Sequence, residues 1–94
     1  MKVLIAYDVR TADAAGERRL RRVARACQDY GQRVQKSVFE CSVGPTEWVQ
    51  LRTRLMAEMD AVADSVRFYF LAADTAIEHH GAKEPVDLDG PLVI

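Results

Sequence analysis

Lys2 to Val9 is a short apolar run rich in β-branched residues, and it predicts a buried strand. Further on, Leu20, Val23, Ala24 and Cys27 recur at i, i+3, i+4 and i+7, which is one stripe of a helix. Thr11 or Asp13 is placed to cap that helix. Gly16 weakens its first turn, so the pattern is firm only from Glu17. Tyr30-Gly31 closes it, with Gly31 suited to a left-handed C′ position. In GQRVQKSVFECSVG, Val34 and Val38 share one strand phase, whereas Phe39, Cys41 and Val43 share the other. Plain alternation cannot change phase, so the segment is one bulged strand or two short strands around a tight reversal. Two strands are the favoured reading.

Gly44-Pro45-Thr46 then breaks the chain and starts a second helix, with proline in the first turn and Glu47 near its positive end. Trp48, Leu51, Leu55, Met59 and Val62 form its apolar stripe, and Trp48 is expected to pack in the core or cap it. Asp64-Ser65 turns the chain, and Val66, Phe68 and Phe70 alternate with Arg67 and Tyr69 in a half-buried strand.

The order β-α-β-β-α-β predicts an α+β domain of ferredoxin-like topology, a four-stranded antiparallel sheet with two helices on one face. A single domain over residues 1–94 suits the length. The other sheet face also needs a cover, because the strands carry apolar or aromatic residues on both phases. Tyr7, Phe39 and Tyr69 are candidates for that side, and a second copy of the chain is the simplest cover, giving a homodimer. Residues 72–94 read as a C-terminal extension. Its close, Leu92, Val93 and Ile94, is expected to form a short last strand at a sheet edge, its own or its partner's.

Composition adds limits. The apolar share of 49% and charged share of 29% exclude a disordered chain. No apolar run approaches the length of a membrane span, and the N-terminus lacks the pattern of a signal peptide. Cys27 and Cys41 form no C-x-x-C pair, which fits two small apolar residues in a reducing cytoplasm. The net charge of −1 hides a polarity: residues 1–36 hold nine Lys/Arg against four Asp/Glu, and residues 58–94 hold two against eight. Such a split suits one surface for a polyanion and another for a basic partner, unless both are simply solvated.

Two places carry candidate chemistry. Asp8 ends the first strand, at the rim of the sheet. If two sheets meet about a two-fold axis, the two Asp8 carboxylates approach, and they repel unless a cation or a shared proton intervenes. Oxygen ligands suit Mg²⁺ or Mn²⁺. The simpler role for Asp8 is to accept from loop amides or to receive Arg10. The second place is the first helix, where Arg18, Arg19, Arg21, Arg22 and Arg25 crowd together and Arg33 follows. Arg18, Arg22 and Arg25 are spaced to share a face. Only Glu17 and Asp29 lie nearby in sequence, and the shortage of acidic partners points to phosphates. His79-His80 are a poor metal pair, Ser37 has no base near it in sequence, and no Gly-rich phosphate loop is present.

The stretches VLIAYDV, RRLRRVA, GQRVQKSVFEC and DSVRFYFL, in this order over residues 1–71, resemble the small CRISPR-associated endonuclease family of spacer acquisition. The resemblance implies a ferredoxin-like homodimer with a divalent-metal site built from Asp8 and its mate. It implies a metal-dependent nuclease acting on RNA or double-stranded DNA, and a dimer that bridges integrase subunits and holds the new spacer. By the same resemblance, Tyr7 and Asp8 are site residues, Arg19 and Arg22 face phosphates (with Arg18 or Arg21 in their place if the helix slips), and Arg33 and Phe39 line the site. Lys36 departs from the family, which often has an aromatic there. Three functions compete: a nuclease, a catalytically silent adaptor on duplex DNA, and a small-ligand regulatory domain of the same fold.

Overall fold

The computed structural model describes residues 1–82. The expected last strand at Leu92–Ile94 lies outside them. Within them the chain forms β1 (Lys2–Asp8), α1 (Ala14–Tyr30), β2 (Gly31–Gln35), β3 (Val38–Ser42), α2 (Pro45–Glu58) and β4 (Ser65–Leu71). The strands make one sheet in the order β2-β3-β1-β4, with every neighbouring pair antiparallel. This is the expected ferredoxin-like α+β arrangement.

Asp13 is the residue that caps α1, its carboxylate accepting from the Gly16 amide at 2.8 Å. The first turn is complete despite the glycine, which position 16 requires because a Cβ there would run into the Arg10 carbonyl. Gly31 departs from expectation. It is extended, with φ −160° and ψ −163°, and it is the first residue of β2. What requires glycine there is proximity, since a Cβ would collide with Cys41 Sγ and the Glu40 carbonyl. The phase change resolves into two strands joined by Lys36-Ser37, and the pairing of β2 with β3 also shifts register between Arg33 and Gln35.

The core is a single layer between the helices and one sheet face. Val3, Ile5 and Tyr7 of β1 and Phe39 and Cys41 of β3 pack against Val23, Ala26 and Cys27 of α1 and Trp48, Leu51 and Leu55 of α2. Trp48 packs edge-on against Phe68 and Phe70, with centroids 4.9 and 5.4 Å apart. Tyr7 and Phe39 are therefore not on the open face, as expected from sequence. They lie on the helix side because β1 pairs Ile5 with Phe39, and Tyr7 is in phase with Ile5. Tyr69, in phase with Leu4, does face outward. The α2 stripe ends early: the helix stops at Glu58, so Val62 falls in a turn and is 97% exposed.

Both cysteines are buried thiols, as expected for small apolar residues. Burial pushes Cys27 up to about 12 and Cys41 up to about 11.

Candidate functional site

Strand alternation sends Tyr7 toward the helices and Asp8 to the open face of the sheet. Asp8 is opposite Ser65 of β4, and the next open-face pairs along the two strands are Ala6 with Arg67 and Leu4 with Tyr69. Asp8 is exposed, and among the described residues its carboxylate makes no hydrogen bond or ion pair. Neither simple role expected of it is realised. Another carboxylate, Asp64, takes the loop amides instead, accepting from Arg10 N and Asp60 N, both at 3.0 Å. A free acid at the sheet's rim is the outcome.

Asp64 is also where the structure corrects the sequence reading of the arginines. Arg19 donates from Nε to Asp64 Oδ2 at 2.8 Å and from Nη2 to Oδ1 at 3.3 Å. The Asp64 side chain is fully enclosed and that of Arg19 is 22% exposed. The Arg19 bond, reinforced by the Asp60 and Arg10 amides, holds the Asp64 carboxyl below the usual carboxylate range despite its burial. Asp64 in turn raises Arg19. The fork of Arg19 thus ties α1 to the loop before β4 and is not presented to a phosphate. The acidic partners of Arg19 and Arg22, Asp64 and Glu58, come from distant sequence, whereas that of Arg25 is local. Arg25 donates to Asp29 at 3.1 Å, and Arg54 of α2 meets the same carboxylate at 2.7 Å. Arg22 lies 3.8 Å from Glu58, a long contact. Arg18 and Arg21 are exposed and have no ion pair among the described residues.

Tyr7, Phe39 and Arg33 form a second group on the helix side. The Tyr7 and Phe39 rings stack with centroids 6.2 Å apart, and the Arg33 guanidinium lies 5.1 Å from the Phe39 centroid. The Tyr7 hydroxyl is buried and, among the described residues, makes no hydrogen bond of good geometry. Burial raises its pKa, and the charge of Arg33 opposes the shift. These three residues and Asp8 do not line one pocket, because neighbours on a strand point to opposite faces.

The described residues contain no group of three or more His, Cys, Asp or Glu arranged to hold a metal ion. Among the described residues, one chain offers the carboxylate of Asp8 on this face at the end of β1. Hard oxygen donors in small number suit Mg²⁺, which retains most of its waters, and a second copy would double them. The open-face expectation for Tyr69 holds, and the pairing of β4 with β1 places Ser65 and Arg67 on the same face as Asp8. Among the described residues no helix is long and apolar enough to cross a membrane.

Comparison with known proteins bears on the same features. The model of the family described as CRISPR associated protein Cas2 matches residues 1–76. The chain is 58% identical over 96 residues to the CRISPR-associated endoribonuclease Cas2 of Chlorobaculum tepidum, covering all of both chains. It is 50% identical over 95 residues to the CRISPR-associated endonuclease Cas2 of Halalkalibacterium halodurans, covering 99% of each. The crystal structure of Streptococcus pyogenes Cas2 at pH 6.5 superimposes with a TM-score of 0.73 at 55% identity, over 79% of this chain and 89% of that one. With the fold and the sequence agreeing over most of its length, the chain belongs to the Cas2 family of CRISPR-associated proteins.

Proposed function

We propose that this chain is a cytoplasmic nuclease of CRISPR spacer acquisition that works as a homodimer and hydrolyses phosphodiesters of RNA or duplex DNA. The observation that carries the reading is the bare carboxylate of Asp8 on the open sheet face. Relatives at 58% and 50% identity bear the names endoribonuclease and endonuclease. Two open faces meeting about a two-fold axis bring Asp8 of each protomer to one seam, where the pair would hold Mg²⁺ or Mn²⁺. Bound there, the cation supplies charge neutralisation at a phosphate and an acidified water. The chain's own part is to present Asp8 uncapped at the end of β1, while Asp64 takes the Arg10 and Asp60 amides.

The test is Asp8→Asn with Mg²⁺ and both RNA and duplex DNA as substrates. Cleavage should vanish while the melting temperature stays unchanged, since Asp8 supports no other group. Cleavage that survives in pure Asp8→Asn protein refutes the reading.

A second role is favoured by the arginines. Arg18, Arg21, Arg22 and Arg25 follow at i, i+3, i+4 and i+7 on α1, in the layer behind the sheet. Nucleic acid held on that stripe is not at Asp8, so gripping and cutting belong to different faces. This suits an adaptor that holds duplex DNA and docks on integrase subunits through its acidic last third. Arg18 and Arg21, which have no ion pair among the described residues, are the main phosphate contacts of the stripe; Arg22 and Arg25 assist. Losing both Arg18 and Arg21 to alanine should lower the salt slope of duplex binding by about two. An unchanged slope counts against the stripe.

A further inference from the structure

The open face holds a cation that has an obvious acidic neighbour and does not bind it. Arg67 is opposite Ala6, and Asp8 is opposite Ser65, so Arg67 and Asp8 are diagonal neighbours on one face of adjacent strands. Diagonal pairs on a sheet face are within the reach of a long side chain. Arg67 is exposed and forms no ion pair among the described residues. It turns the other way along its own strand, donating from Nη1 to the Tyr69 hydroxyl at 3.2 Å. That bond also raises the Arg67 pKa, so the guanidinium keeps its charge while its fork is drawn off.

We infer that Tyr69 is a positioning residue for the candidate cation site: its hydroxyl holds Arg67 away from Asp8 and so keeps the carboxylate open to a divalent ion. The inference rests on the reading of Asp8 as a metal ligand. Its physical basis is competition. A guanidinium and a metal ion seek the same carboxylate oxygens, and the cation nearest by covalent placement wins unless something else takes its donors. Tyr69 supplies that alternative acceptor without adding a negative charge that would itself attract the metal.

The test measures Mn²⁺ binding to the full chain by electron paramagnetic resonance, in wild type, Asp8→Asn, Tyr69→Phe, Arg67→Ala and the double variant Tyr69→Phe with Arg67→Ala. Tyr69 lies outside the hydrophobic core, so loss of its hydroxyl leaves the fold of the protomer intact, and sedimentation of each variant checks its oligomeric state. Tyr69→Phe should weaken Mn²⁺ binding about two- to fivefold, the range set by one exposed ion pair that the metal must displace. Removing Arg67 as well should return the affinity to the wild-type value or above it. A merely structural role for Tyr69 would not be rescued by deleting a second contact on the same surface. Wild-type affinity in Tyr69→Phe, or a double variant as weak as Tyr69→Phe, overturns the inference alone. Wild-type protein that shows no Asp8-dependent Mn²⁺ binding overturns the metal reading and the inference with it.

Discussion

Breaking the Arg19–Asp64 pair is the sharpest test of what the first helix's arginines do. Asp64 accepts four hydrogen bonds: two from Arg19 and one each from the Arg10 and Asp60 amides. Asp64→Ala leaves two amides in a partly buried site without a partner and strands the guanidinium. Removing one member of a buried pair costs about 3–5 kcal/mol, and because Arg19 retains access to water the lower end applies, about 3 kcal/mol. Arg19→Ala leaves Asp64 with its two amide donors, so about 2 kcal/mol is expected. With Asp64 gone Arg19 has nothing left to hold, so the double variant should cost little more than Asp64→Ala. The coupling energy is then about 1.5–2 kcal/mol. Urea unfolding of the four proteins at one fixed protomer concentration measures it. Coupling below about 0.5 kcal/mol, the level at which independent sites add, would refute the clamp and return Arg19 to the phosphate-facing set.

The same pair dictates a pH dependence. The folded-state pKa of Asp64 lies below its unfolded value of about 3.9, so the unfolded chain binds the extra proton in the window between them. The stabilisation is fully present above about pH 5 and is lost as pH falls through 4 toward the folded value. The stability gap between wild type and Asp64→Ala should therefore narrow on acidification from pH 5. A constant gap would mean that the carboxylate charge is not what the clamp uses.

Two further outcomes follow from buried groups. Tyr7→Phe removes a buried hydroxyl that makes no good hydrogen bond among the described residues, so the melting temperature should hold or rise slightly; a loss above about 1 kcal/mol would show that the hydroxyl is hydrogen-bonded in the folded protein. Cys27 and Cys41, with thiols raised to about 12 and about 11, should resist a disulfide reagent at pH 8 in native protein and react fully in urea. Rapid native labelling of either would contradict the packing of α1 on the sheet.

Much of the fold was legible because its signals are local. The stripe of Val23 and Cys27, the phase change after Val38 and the break at Gly44-Pro45 each set an element without reference to the rest of the chain. The errors have a common cause. Which phase of β1 faces the helices is decided by its pairing with β3, so Tyr7 and Phe39 were assigned to the wrong face. The partner of Arg19 comes from 45 residues away, and Asp29, which is at i+4 from Arg25, is shared with Arg54 on α2; neither the first pair nor the sharing is revealed by spacing or local composition. Asp8 could be picked out as a strand-end acid, but its freedom depends on Asp64 occupying the adjacent amides. Tyr69 was legible as an outward position, whereas the placing of Arg67 beside Asp8 depends on the register of β4 against β1.

The junction of α1 with β2 has a consequence for how this small domain can vary and move. Tyr30 is the last helical residue and Gly31 the first of the strand, so no connector absorbs a change between them. Rotating α1 by even part of a turn would drag the edge strand with it, and a single inserted residue would both rotate the strand's side chains through the sheet and push a Cβ against Cys41. Length differences tolerated without loss of register are expected in residues 72–82, beyond the last strand, and not at this hinge-free corner, which makes the helix and the sheet edge one rigid lever.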